Sequence, residues 1–161
     1  MKLDFFINQN RISLEIEANE LLVDILRDRL GLTGTKISCR EGECGSCTVW
    51  LDGLPINSCI FPAAKVQGRS ITTIEGLGNS EFPHIVQERM ASFGASQCGY
   101  CTPGFVMAAA ALLRNNPDAS HAEIIEDLSG NLCRCTGYTR IVAAVESFSN
   151  PGIDIPLPDE V

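Results

Sequence analysis

Histidine is scarce in this sequence. Only His84 and His121 are present, and neither stands beside a partner that would make it a general base. His121 sits inside a helix-capping pattern and His84 follows a proline, so both read as surface or structural residues. Carboxylates are plentiful, but no convergent pair marks an acid–base site. There is no G-x-G-x-x-G and no P-loop, so bond chemistry is left to some other chain. Long apolar runs are also missing. The longest, residues 105–113, is closed by Arg114, far short of the roughly 20 residues of a membrane span. Residues 1–7 are too short and too soon polar for a signal peptide, so the cytoplasm is the expected compartment. Positive charge is short as well. Lys and Arg form no stripe and the net charge is −8, which argues against nucleic acid and suits a docking partner more basic than this chain. Low-complexity tracts are absent. What remains is a globular chain of 161 residues, 45% hydrophobic and 20% charged, enough for one ordinary domain or two small ones.

The two halves differ in periodicity. Leu3, Phe5 and Ile7 alternate, as do Ile12, Leu14 and Ile16, with residues 8–10 between them, which predicts a β-hairpin. Asn19 is placed to cap a helix carrying Leu21, Leu22, Ile25 and Leu26, and Gly31 to end it. Residues 48–51 and 54–58 predict a second hairpin around Asp52-Gly53, with Trp50 packing the sheet, and residues 69–74 a further strand. That order predicts a β-grasp sheet with one helix across it. From there helical signals take over. A helix is expected over 81–92. Another begins at Thr102-Pro103, with Thr102 as cap and proline at the first helical position, and closes at Asn116-Pro117. A third follows the capping box Ser120–Glu123, and a last one follows Thr136-Gly137. The boundary falls near residues 75–79, giving domains at 1–76 and 77–149. A proline-rich tail at 150–161 is expected to be extended and to order against a partner. Each half is small enough to need a metal staple.

Cysteine is abundant: there are eight, many for a cytoplasmic protein, where clustered thiols hold metal or do redox chemistry. Cys39, Cys44, Cys47 and Cys59 follow C-x4-C-x2-C with a distant fourth, the plant-type ferredoxin spacing for a [2Fe–2S] cluster. Gly42 and Gly45 let the loop wrap a compact inorganic core and free backbone N–H groups to face its sulfurs. A structural zinc site usually shows two C-x2-C knuckles and fits this spacing poorly. Cys98, Cys101, Cys133 and Cys135 form C-x2-C and C-x-C. Both pairs precede predicted helices, whose N-termini favour a negative cluster. On spacing alone zinc stays open for this second set. A C-x-C pair normally points its side chains apart, so the backbone must bend, which Asn131 and Gly137 allow.

Five ordered stretches carry a wider resemblance: residues 31–36 (GLTGTK), Cys39–x4–Cys44-Gly-Ser-Cys47-Thr-Val, residues 73–77 (TIEGL), residues 97–104 (QCGYCTPG) and residues 130–138 (GNLCRCTGY). Together they resemble the iron–sulfur small subunit of the xanthine oxidase (molybdenum hydroxylase) family, over about residues 2–148. The resemblance implies an α+β chain: an N-terminal β-grasp, plant-type ferredoxin-like domain and a C-terminal all-α four-helix domain, each with one [2Fe–2S] cluster. It implies partners too, a large subunit with a molybdopterin cofactor and a medium subunit with FAD, in a heterotrimer or a dimer of heterotrimers. Electrons in the family usually pass from molybdenum to the helical-domain cluster, then the ferredoxin-like cluster, then FAD. Gln97 and Cys135 match positions that lie against the pterin, and Gly45 and Ser46 match the loop on the flavin side. Ser38 and Ser46 stand where glycine and alanine are usual, and the Ser46 hydroxyl is placed to hydrogen-bond near a sulfur. A free-standing two-cluster ferredoxin-like carrier is the alternative, and a zinc-binding interaction module a third reading.

Overall fold

The computed structural model describes residues 1–149; the extended tail expected at 150–161 lies outside them. Strands β1 (Lys2–Ile7) and β2 (Asn10–Glu15) form the first hairpin. Its turn is Asn8-Gln9, both at positive φ, the mirror-image turn whose twist matches paired strands. β3 (Thr48–Leu51) and β4 (Leu54–Asn57) form the second hairpin, again through two residues at positive φ, Asp52 and Gly53. β5 (Ser70–Thr72) runs parallel to β1 and antiparallel to β3. The sheet order is β2-β1-β5-β3-β4. Leu3, Phe5, Ile7, Val49, Leu51 and Ile71 on one sheet face pack against Leu22, Ile25 and Leu26 of the crossing helix. This is the expected β-grasp.

That helix starts later than its sequence predicts. Leu21, not Asn19, is the residue before α1 (Leu22–Asp24). Leu21 is held extended in an isolated bridge to Pro62, so the chain turns helical only beyond it. α1 then widens into a π-helical turn over Ile25–Arg29.

α2 (Ile74–Leu77) is a single turn where the strand was expected to end. α3 (Ile85–Ser92) is shorter than the predicted 81–92. The Asn79 side-chain oxygen accepts from the amides of Glu81 and Phe82 at 2.9 and 2.8 Å, which holds those residues in a turn. His84 then caps α3: its Nδ1 accepts from the Val86 amide, and Gln87 accepts from the His84 amide. α4 (Thr102–Asn115) has Cys101 rather than Thr102 as its cap residue. α5 (His121–Leu128) has the capping box read from Ser120 and Glu123, and α6 (Thr139–Glu146) completes a four-helix half.

α4 is apolar all round and buried from Gly104 to Ala111, as a central helix must be. α3 and α5 pack on it within the helical half, and β3 packs on it from the other. All four β3 residues are buried because the strand is covered on both faces. Val49 and Leu51 point into the β-grasp core, whereas Trp50 belongs to the helical core. Its indole N–H donates to the Met107 carbonyl at 2.8 Å, and the Arg114 guanidinium lies over its ring, 4.7 Å from the centroid. Trp50 therefore does not simply pack its own sheet; it joins the two halves.

Candidate iron–sulfur centres

The first thiol quartet is assembled by the second hairpin. Thr48 pairs with Asn57, so Cys47, just before β3, and Cys59, just after β4, are brought to the same end. Ser58 fastens them, its hydroxyl donating to the Cys47 carbonyl at 2.7 Å. The loop carrying Cys39 and Cys44 closes over this end, held by the Asn57 amide donating to the Gly42 carbonyl at 2.7 Å. Cys44, Cys47 and Cys59 are buried and Cys39 half-buried.

The second quartet comes from two interhelical loops. Cys98 and Cys101 lie between α3 and α4, and Cys133 and Cys135 between α5 and α6. The latter loop is set by Tyr138, a non-glycine residue at φ 68°. Its ring meets Phe105 edge-on at 6.2 Å, and its hydroxyl accepts from the Cys133 amide at 3.0 Å. Cys98 and Cys135 are exposed. Cys101 immediately precedes α4, as the sequence suggests, but Cys135 stands short of α6, which begins at Thr139.

In both quartets the thiols neighbour one another in pairs. Cys39 lies near Cys44 and Cys47 near Cys59, close enough to bear on each other's protons. Cys101 lies near Cys133 in the same way, and the Cys135 thiol donates to Cys98 at 3.6 Å. The bend asked of the C-x-C pair takes a different form: its two side chains diverge, each to a different member of C-x2-C. Among the described residues no three Cys, His, Asp or Glu side chains gather around one point as ligands of a single ion would. Four thiols in two pairs are a donor set that would hold a binuclear iron–sulfur group.

The electrostatics suit that group. The amides of Glu41 and Cys44 draw the Cys39 thiol down to about 6. Burial works to raise Cys133, but the hydroxyl and amide of Thr136, 3.1 and 3.4 Å from its sulfur, bring it to about 7. Burial pushes Cys47 and Cys101 up to about 12. Bound iron would take the place of the thiol protons by holding the sulfurs as thiolates.

The other predicted residues divide. Gln97 is exposed beside Cys98 and Cys135, forming an open edge with them. Gly45 and Ser46 are buried. The Gly45 carbonyl faces the helical half, where it accepts from the Asn131 side chain at 3.0 Å. The exposed part of that loop is Arg40, Glu41 and Glu43. Ser46 places its hydroxyl oxygen 3.6 Å from the Cys44 sulfur, in line with the expected contact. Tyr138, Thr136 and Asn57 support the centres, and Trp50 joins the two halves, without having been singled out for it. Their signals in the sequence were only adjacency to cysteine and, for Trp50, being the lone tryptophan.

Comparison with known proteins agrees with this geometry. Residues 5–67 match the 2Fe-2S iron-sulfur cluster binding domain family and residues 73–146 the [2Fe-2S] binding domain family. The nicotinate dehydrogenase small FeS subunit of Eubacterium barkeri is 46% identical, with 86% of this chain and 88% of that protein covered. The xanthine dehydrogenase of Emericella nidulans is 44% identical over 91% of this chain, but the chain spans only 12% of that longer protein. The crystal structure of quinoline 2-oxidoreductase from Pseudomonas putida 86 contains a similar chain, with a TM-score of 0.87, 43% identity, and 91% and 90% of the two chains covered. The described residues contain no helix long and apolar enough to cross a membrane. Two [2Fe–2S] domains in this order, at these identities and over nearly the whole length of a small subunit, mean that the chain belongs to the iron–sulfur subunits of the xanthine oxidase family and carries two [2Fe–2S] clusters.

Proposed function

We propose that the chain is the electron-relay subunit of a cytoplasmic molybdenum hydroxylase, working between a large molybdopterin subunit and a medium FAD subunit. The observation that carries this is the placement of the two quartets. One is open to solvent at Cys98 and Cys135, the other is enclosed, and their loops touch each other. A [2Fe–2S] cluster, when bound, supplies a one-electron store and nothing more. Cys39, Cys44, Cys47 and Cys59 hold one such centre and Cys98, Cys101, Cys133 and Cys135 the other. Neighbouring thiols would share an iron: Cys39 with Cys44, Cys47 with Cys59, Cys98 with Cys135, Cys101 with Cys133. The domains divide at residues 76 and 77.

Gln97 and Cys135 form the surface that receives electrons from the pterin side. Exposed Leu132 and Tyr138 flank it, apolar groups that a partner would cover. The flavin-side surface is the loop of Gly45 and Ser46, which meets solvent through its rim of Arg40, Glu41 and Glu43. Nicotinate dehydrogenase and quinoline 2-oxidoreductase are named for N-heteroaromatic substrates, so the complex built on this chain is proposed to hydroxylate that class.

The test is anaerobic purification of the native complex. Two larger chains, molybdenum and FAD should accompany this one, and N-heteroaromatic substrates should reduce both clusters. A monomeric brown protein with neither partner would support a free carrier instead, and a colourless zinc protein would refute both readings.

A further inference from the structure

The two cluster loops are joined by backbone. The Cys44 carbonyl accepts from the Leu132 amide at 2.9 Å. Cys44 is in the first quartet, and Leu132 precedes Cys133 of the second. A continuous bridge therefore leads from the Cys44 side chain through its own carbonyl, across this hydrogen bond, and along the Leu132 backbone to Cys133. What fixes the bridge is the residue before it. Asn131 is 5% exposed, its amide donates to the Leu128 carbonyl at the end of α5 at 3.0 Å, and its side-chain Nδ2 donates to the Gly45 carbonyl at 3.0 Å. One side chain thus pins the α5–α6 loop to the residue that follows Cys44. The approach has no slack. A Cβ on Gly45 would lie 2.5 Å from the Gly130 carbonyl oxygen, and a Cβ on Gly104 would strike the Gly45 carbonyl oxygen. Tyr100 adds a bond at the margin, its hydroxyl donating to the Ile37 carbonyl.

The bond from Asn131 is not needed to satisfy Gly45. That carbonyl also accepts from the Thr48 amide at 3.1 Å and the Thr48 hydroxyl at 2.6 Å. Removing the Asn131 amide therefore leaves no orphaned acceptor, and the contact is better explained by what it positions. We propose that Asn131 is a positioning residue for electron transfer between the two clusters, holding the Cys44 carbonyl on the Leu132 amide so that the two thiol sets stay electronically coupled. The proposal rests on the relay reading above. The step moves one electron: the donor centre is oxidised by it, the acceptor is reduced by it, and no covalent bond changes.

The experiment uses the full chain loaded with both clusters, reduced with dithionite and observed by low-temperature electron paramagnetic resonance, with intercluster transfer followed by flash reduction. Asn131→Ala removes the donor. Asn131→Asp keeps the shape but turns a carboxylate toward the Gly45 carbonyl. Ile124→Val, in the helical core and away from the seam, is the control for lost stability. The expected result is two full-intensity cluster signals in every variant, with magnetic coupling weakened and transfer slowed several-fold in Asn131→Ala, more so in Asn131→Asp, and unchanged in Ile124→Val. Unchanged coupling and rate in both Asn131 variants would overturn the proposal, whatever happens to their melting temperatures. An unaltered chain showing only one paramagnetic centre would instead overturn the relay reading beneath it.

Discussion

The two thiol quartets do the same job in opposite surroundings. The first is walled in: the side of the loop bearing Cys44 and Cys47 is buried, and a β-hairpin supplies the fourth sulfur from behind. The second sits at loop ends between helices, with Cys98 and Cys135 at the surface. An enclosed centre is defined by its own domain. An open one is finished by whatever docks on it, and its potential and lifetime depend on that cover. The chain thus has an inner centre enclosed by its own residues and an outer one left open at Cys98 and Cys135.

The strongest way to break this comparison is to remove one centre and ask whether the other survives. Cys44→Ser should abolish one cluster signal and leave the other, with iron falling from about four to about two per chain; loss of both signals would show that the centres are not separate. Next is Trp50, the one large side chain of the sheet that belongs to the helical core. Trp50→Ala should cost about 3–5 kcal/mol, read as a lower midpoint in denaturant, and the loss should fall mainly on the helical half. Cys135→Ala in the assembled complex should block reduction of both clusters by substrate while the inner centre keeps its own spectrum. Unchanged turnover would take Cys135 off the path.

The comparison is sharpened by a smaller change, Ser46→Ala. It removes the hydroxyl beside the Cys44 sulfur and should lower the reduction potential of the inner centre alone, because a hydrogen bond to a thiolate favours the more negative, reduced state. Redox titration of both signals would check it. The smallest effect concerns His84. Burial lowers its pKa from the ordinary 6.5, so the neutral ring, which accepts from the Val86 amide, is the form the fold favours. Its stabilisation is complete above pH 6.5 and is lost as pH falls through the depressed folded-state value. Thermal unfolding at neutral and mildly acidic pH should show this dependence, and His84→Ala should remove it.

The sequence made legible whatever depends on local pattern. Alternation located β1, the turn chemistry of Asp52-Gly53 located the second hairpin, the Ser120–Glu123 box located α5, and cysteine spacing located both centres. It misplaced what depends on contact at a distance. Asn19 looked like a cap because nothing nearby revealed that Leu21 would be tied to Pro62. Trp50 looked like a sheet residue because a strand's two faces cannot be assigned to two different cores before the second core is known. The hydrogen bond from the Asn131 side chain to the Gly45 carbonyl was equally invisible, because the two residues lie far apart along the chain. A short motif records which thiols are present, and says little about what presses on the loop from elsewhere.

The seclusion of Cys47 and Cys59, each 2% exposed, bears on how the protein is made. A finished β3–β4 hairpin covers those sulfurs, so iron and sulfide reach them only when the loop of Cys39 and Cys44 is open. Filling the inner centre and closing its loop are therefore coupled steps. The outer quartet is reachable at Cys98 and Cys135 in the completed fold and needs no such opening.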